Sequence, residues 1–155
     1  MTGTIDARLA ELGISLPVPP APVASYVPFV VSGKQVFISG QITLADGALK
    51  YVGTVGQDLT VEDGKSAARI CGINLLAQLK AAAGGDLDKV KRCVKLGVFV
   101  NAAPGFAQHP EVANGASDLM LEVFGDAGRH ARAAVGAGSL PRNVAVEVEA
   151  VFELA

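Results

Sequence analysis

The chain has 155 residues, with 13 Lys and Arg against 15 Asp and Glu and a formal net charge of -2. A length of this order suits one domain over residues 1–155, and a composition that is 50% hydrophobic and 18% charged excludes a disordered chain. The acidic balance and scattered cations exclude the basic stripe that neutralises phosphates along a duplex, so nucleic acid is not an expected partner.

Along the chain, Ile5, Leu9 and Leu12 recur at helical spacing after Thr4, read as an N-cap, so a short amphipathic helix opens the sequence and Gly13 ends it. The segment LPVPPAPVASYVP must be extended, because each Pro fixes φ and pushes its predecessor out of the helical region. Residues 1–21 thus form an N-terminal helix and a Pro-rich strap. Phe29 to Val31 and Gln35 to Ser39 flank the turn signal Ser32-Gly33-Lys34 and predict a β-hairpin, and Asp46-Gly47 marks another turn.

From Val61 to Ala83 apolar residues recur at helical period and stop at Gly84-Gly85. In VKRCVKLGVFVN, residues 90–101, the alternation of Val94, Leu96, Val98 and Val100 with Lys95 and Gly97 predicts a strand. Pro110, then Val112, Ala116, Leu119, Met120 and Val123, then Gly125, predict a second long helix. HARAAVG and NVAVEVEAVFEL read as two further strands joined through GAGSLPR. The order ββ-α-β-α-ββ predicts an α+β fold, a mixed sheet of five or six strands with both long helices on one face.

A mean hydropathy of +0.40 requires the apolar surplus to be buried in protein. No run of about 18 apolar residues exists to cross a bilayer, so no membrane partner is expected and an interface between copies is the simplest sink. Asp6, Arg8 and Glu11 interrupt the first residues, which therefore lack the apolar core of a secretory signal; the expected location is cytoplasmic. Cys71 and Cys93 form no CxxC and are expected to be reduced core residues.

Several motifs fail on inspection. Gly64-Lys65-Ser66 resembles the end of a phosphate-binding loop, but the Gly required five positions earlier is Leu59. Gly136-Ala137-Gly138 lacks the third Gly of a dinucleotide fingerprint, where Pro141 stands. His109 and His130 have no spacing that would hold a metal, and no GxSxG elbow supports a serine hydrolase. What remains is Arg132 in HARAAV and Glu147 in VAVEVEAVF. A hairpin centred near Ser139 and Leu140 would bring them roughly opposite one another. There they could form a cross-strand ion pair, or a site in which the guanidinium grips a carboxylate while Glu147 orients a water.

Ser25-Tyr26-Val27, VFISGQI (residues 36–42), VKLGVFVN and ARAAVGAGSLPRNVAVEVEA (residues 131–150) together resemble the Rid/YjgF family, also known as endoribonuclease L-PSP. The resemblance runs from about residue 22 onward. It implies a chorismate-mutase-like fold assembled as a homotrimer, with ligand sites in clefts between subunits. It also implies hydrolytic deamination of enamines and imines of the 2-aminoacrylate type, without a cofactor. Arg132 matches the family's carboxylate-binding Arg and Glu147 its water-positioning Glu. Tyr26 matches a cleft-lining Tyr, and Gly40 and Ala134 stand at positions that give main-chain contacts to the ligand. Ala134 replaces a Cys common in the family, ASYVP replaces a GPYSQ-like run, and an N-terminal helix precedes the usual start. Asn101, Phe106 and His130 are further lining candidates. Two other functions stay open: a non-catalytic trimer that binds small carboxylates or a partner protein, and, ranked last for want of a His pair and a basic groove, an endoribonuclease.

Overall fold

A computed structural model of the chain describes residues 3–19 and 24–155, so residues 20–23 of the Pro-rich strap lie outside the described residues. The elements run α1 (Thr4–Glu11), β1 (Phe29–Ser32), β2 (Gln35–Gln41), β3 (Leu44–Ala45), β4 (Ala48–Leu49), α2 (Val61–Ala82), β5 (Val90–Asn101), α3 (His109–Phe124), β6 (Ala131–Ala137) and β7 (Val146–Leu154). Five strands form the main sheet in the order β1-β2-β7-β5-β6, and β3 and β4 form a separate ribbon. The ribbon closes at the predicted turn, where Asp46 and Gly47 both take positive φ, as a two-residue hairpin turn requires.

The last two strands depart from expectation. They are not a hairpin: β5 lies between them, paired antiparallel with β7 and parallel with β6. A parallel pair needs a long crossover, and α3 supplies it between β5 and β6. Two adjacent strands in the sequence could be read as neighbours in space because alternation reports which residues share a face and not which strand lies alongside.

One face of the sheet carries Val36, Ile38, Leu96, Val98, Val100, Val146, Val148, Ala150 and Phe152, and these join α2 and α3 in the core. Leu75, Leu76, Leu79, Leu119 and Met120 are fully buried there, and truncating one such Leu to Ala typically costs about 2–5 kcal/mol. The two helices approach closely because a Cβ on Gly115 would collide with the Lys65 carbonyl, and one on Gly72 would lie 2.8 Å from Leu119 Cδ2. Thr60 caps α2 with a full capping box to Asp63. Val94 does not share the buried face of β5 as alternation predicted. A register shift between Cys93 and Lys95 inserts one residue, so Cys93 takes the buried place and Val94 is half-buried. Both cysteines are buried free thiols.

Nor is Thr4 the cap of α1. Gly3 holds the N-cap position and has no side chain to offer, and the carboxylate of Asp88 accepts from the Thr4 and Ile5 amides at 2.9 and 2.8 Å. These two bonds hold the Asp88 carboxyl below its ordinary range. The helix docks further through Arg8 Nε, which donates to the Glu122 carbonyl at 2.8 Å, and through Lys80 with Asp6 at 3.1 Å.

Among the described residues, none covers the opposite face of the sheet. That face presents Phe37, Phe99, Val135, Val151 and Glu149, and Phe37 and Val135 are exposed hydrophobics.

Candidate functional site

Register decides where the two expected charges go. Across β6, β5 and β7, Arg132 is level with Leu96 and Ala150, whose side chains are buried under the helices. Val135 is level with Phe99 and Glu147, a row on the uncovered face. Arg132 and Glu147 therefore belong to opposite faces, and the site expected from one pair of facing strands does not form within one chain.

Arg132 bends over the helix side of the edge strand β6. Its Nη1 donates to Asn114 Oδ1 at 2.8 Å and to Ser117 Oγ at 3.1 Å, both on α3. Both hydrogens of that nitrogen are thereby engaged. Among the described residues nothing pairs with Nε or Nη2, which lie on the same side of the guanidinium plane and form the fork that grips a carboxylate through two parallel bonds. Asn114 and Ser117 did not enter the sequence reading. They were visible as two polar residues three apart, hence on one helix face, among the small apolar residues Ala113, Gly115 and Ala116.

Beneath Arg132, Ser117 Oγ lies 2.8 Å from His130 Nε2, and His130 Nδ1 lies 2.6 Å from the Gly128 carbonyl. Ser117, Leu121, Arg129, His130 and Arg132 line a depression of about 230 Å³. Ala134, two residues beyond Arg132, is half-buried against the core.

Glu147 lies on the other face under different conditions. It is half-buried, makes no hydrogen bond or ion pair with another described residue, and its carboxyl is raised above the ordinary range, first by burial and then by the nearby Glu149 charge. It lies against the backbone of Gly40: a Cβ there would meet Glu147 Oε1. Gly40 sits where β2 carries one extra residue against β7, between the pairs Ile38–Ala150 and Gln41–Val148. The same bulge anchors the strap. Ser39 Oγ donates to the Val27 carbonyl at 2.7 Å and Ser39 N donates to the Pro28 carbonyl at 2.9 Å. That brings the Tyr26 segment to the Gly40–Glu147 corner, with Tyr26 itself 64% exposed.

The remaining expected lining residues fall elsewhere. Asn101 is 2% exposed, and its Nδ2 reaches the Gly53 carbonyl, Asn143 Oδ1 and the Val144 carbonyl at 3.2, 3.1 and 3.3 Å. Its amide nitrogen thereby secures the loop whose Arg142 and Asn143 take positive φ. Phe106 is half-buried and packs edge-on against the His109 ring at 5.2 Å. Among the described residues no cluster of three His, Cys, Asp or Glu side chains could hold a metal ion. No helix among them is long and apolar enough to cross a membrane.

Residues 6–154 match a family profile described as "YjgF/chorismate mutase-like, putative endoribonuclease". The chain is 51% identical over 154 residues to Protein TCP17 of Trypanosoma cruzi, covering 99% of this chain and 96% of that one. It is similar to the protein Atu1372 of Agrobacterium tumefaciens, of unknown function, with 47% identity, a TM-score of 0.91 and coverage of 97% of this chain and 92% of that one. A Shewanella oneidensis protein carrying the same endoribonuclease description superimposes with a TM-score of 0.93 at 38% identity, over 98% and 100% of the two chains.

Proposed function

Since the chain belongs to the YjgF/chorismate-mutase-like family, we propose that it hydrolyses small imino acids at a site shared by neighbouring copies in a homotrimer. The observation that carries the reading is the Arg132 fork, anchored through Nη1 and open through Nε and Nη2. In this scheme one copy contributes Arg132 and Ala134 from its edge strand, and the next contributes Glu147, Gly40 and the Tyr26 segment from its uncovered face. The exposed Phe37 and Val135 on that face support such a seam, because exposed apolar side chains are favoured against a second copy over water.

Chemically, the substrate's carboxylate docks on Arg132, which fixes the adjacent C=N carbon near Glu147. The Glu147 carboxylate takes a proton from water as the oxygen adds to that carbon. It then returns the proton to nitrogen; as the C–N bond breaks and ammonia leaves, the hydroxyl group gives its proton back to the Glu147 carboxylate and becomes the C=O of a 2-keto acid. A protonated imine is a strong electrophile, so a held carboxylate and an aligned water suffice and no cofactor is required. The elevated Glu147 carboxyl suits an acid–base group more than it suits a structural ion pair.

A second reading has its own support. Because Arg132 and Glu147 lie on opposite faces of one chain, a non-catalytic protein that only binds small carboxylates at Arg132 needs nothing from Glu147. Loss of 2-iminopropionate generated in solution, followed for the wild type, Arg132→Ala and Glu147→Gln, separates the two. Acceleration lost in both variants supports the deaminase. A wild type no faster than the spontaneous reaction that still binds pyruvate through Arg132 leaves the binder.

A further inference from the structure

Arg132 is held by a serine, and the serine is held by a histidine that the deaminase chemistry does not use. Directions in this chain follow from what each atom can do. The Gly128 carbonyl only accepts, so His130 Nδ1, 2.6 Å away, carries a hydrogen and donates it. In the neutral ring Nε2 then has only a lone pair to offer, so the Ser117 hydroxyl, at 2.8 Å, donates to it. That leaves the lone pairs of Ser117 Oγ for Arg132 Nη1, at 3.1 Å, beside the bond from the same nitrogen to Asn114 Oδ1. With the ring hydrogen on Nε2 instead, the Ser117 hydroxyl could no longer donate to the ring, and its hydrogen would be free to turn toward the guanidinium. Ser117 is 9% exposed and His130 is half-buried, so water competes poorly for these bonds.

We propose that His130 and Ser117 are positioning residues for Arg132. The ring, set by the Gly128 carbonyl, fixes the polarity of the Ser117 hydroxyl, and Ser117 with Asn114 pins one guanidinium nitrogen so that the Nε–Nη2 edge stays turned outward for a carboxylate. This rests on the reading of Arg132 as the carboxylate anchor, and it adds the three-link support beneath that anchor. An anchor that grips ground state and transition state alike acts on substrate binding, so loosening it raises KM and leaves kcat in place.

Two measurements test it. In the ligand-free protein, nitrogen-15 NMR reads the His130 tautomer and the rotation of the Arg132 guanidinium. The wild type is expected to carry hydrogen on Nδ1 only and to rotate slowly; Ser117→Ala and His130→Leu free the guanidinium, and His130→Gln, whose Oε1 accepts the hydroxyl, keeps it held. In the 2-iminopropionate assay, Ser117→Ala and His130→Leu raise KM about tenfold with kcat within twofold, and His130→Gln recovers most of the loss. Hydrogen on Nε2 in the wild type, a guanidinium already rotating freely, or KM unchanged in both variants while Arg132→Ala raises it overturns the proposal. If the NMR signatures hold while Arg132→Ala retains the wild-type KM, the relay stands and the deaminase reading falls.

Discussion

The Arg132 side of the sheet and the Glu147 side are built to opposite plans. On the helix side every link is closed within the chain: Arg132 to Asn114 and Ser117, Ser117 to His130, His130 to the Gly128 carbonyl. On the uncovered side Glu147 has no partner among the described residues and rests against a glycine in a bulge. One half is preorganised before any ligand or second copy arrives, and the other is left electrostatically unfinished. A charge left this way costs stability in the isolated chain, which is a common mark of a group kept for function.

The sharpest way to break the comparison is to separate the halves. Arg132→Ala and Glu147→Gln are each expected to lower kcat/KM for 2-iminopropionate by about 10²–10⁴-fold, through the lost charged hydrogen bonds and the lost base respectively. Unfolding the two inactive variants together and refolding them as mixed assemblies should recover activity, since some seams then pair an intact Arg132 with an intact Glu147. No recovery, with mixed assemblies demonstrated by mass, counts against a shared site.

Next in size is the scaffold. Gly115→Ala drives a methyl into the Lys65 carbonyl at the α2–α3 crossing and should lower unfolding free energy by about 1–3 kcal/mol in denaturant titration, without favouring either half. Gly40→Ala sharpens the contrast, because the atom in the way is the end of a flexible Glu147 side chain. Thermal stability should change little while kcat falls, as the carboxylate is pushed out of place; a stability loss as large as that of Gly115→Ala would refute this account of Gly40.

The smallest effects are in pH. The Glu147 carboxyl is raised on folding, so its contribution favours the folded chain below the ordinary carboxylate range and is lost as pH rises through the elevated value. Glu147→Gln should therefore melt higher than wild type at neutral pH and converge with it in acid. Asp88 runs the other way. Its carboxyl is lowered, so its hold on α1 is present above the ordinary range and disappears as pH falls through the depressed value. Asp88→Asn should speed amide exchange at Thr4 and Ile5 at neutral pH and lose that difference in acid.

Much of this architecture was legible in the residues. Helical periodicity located α2 and α3, and Ser32-Gly33-Lys34 and Asp46-Gly47 located their turns, because these signals are local. What local signals cannot carry is adjacency. β7 enters between β2 and β5, and the α3 crossover lays β6 on the far side of β5, so Arg132 and Glu147 do not meet across a hairpin. Thr4 was misread for a related reason: its helix is capped by Asp88, distant in the sequence. Asn101 was legible as polar at the end of a strand, but only the fold shows its amide occupied by the Gly53 and Val144 carbonyls.

The place of β7 has a consequence for how the molecule assembles. It follows every other strand in chain order yet occupies the middle of the sheet, so β1–β2 and β5–β6 have no ladder to each other until it arrives. During synthesis the two halves must wait with open edges, and their pairing is long-range by construction, a topology that slows folding. Stalling a nascent chain just before Val146 would thus yield two unjoined flaps, not a nearly finished protein missing a rim.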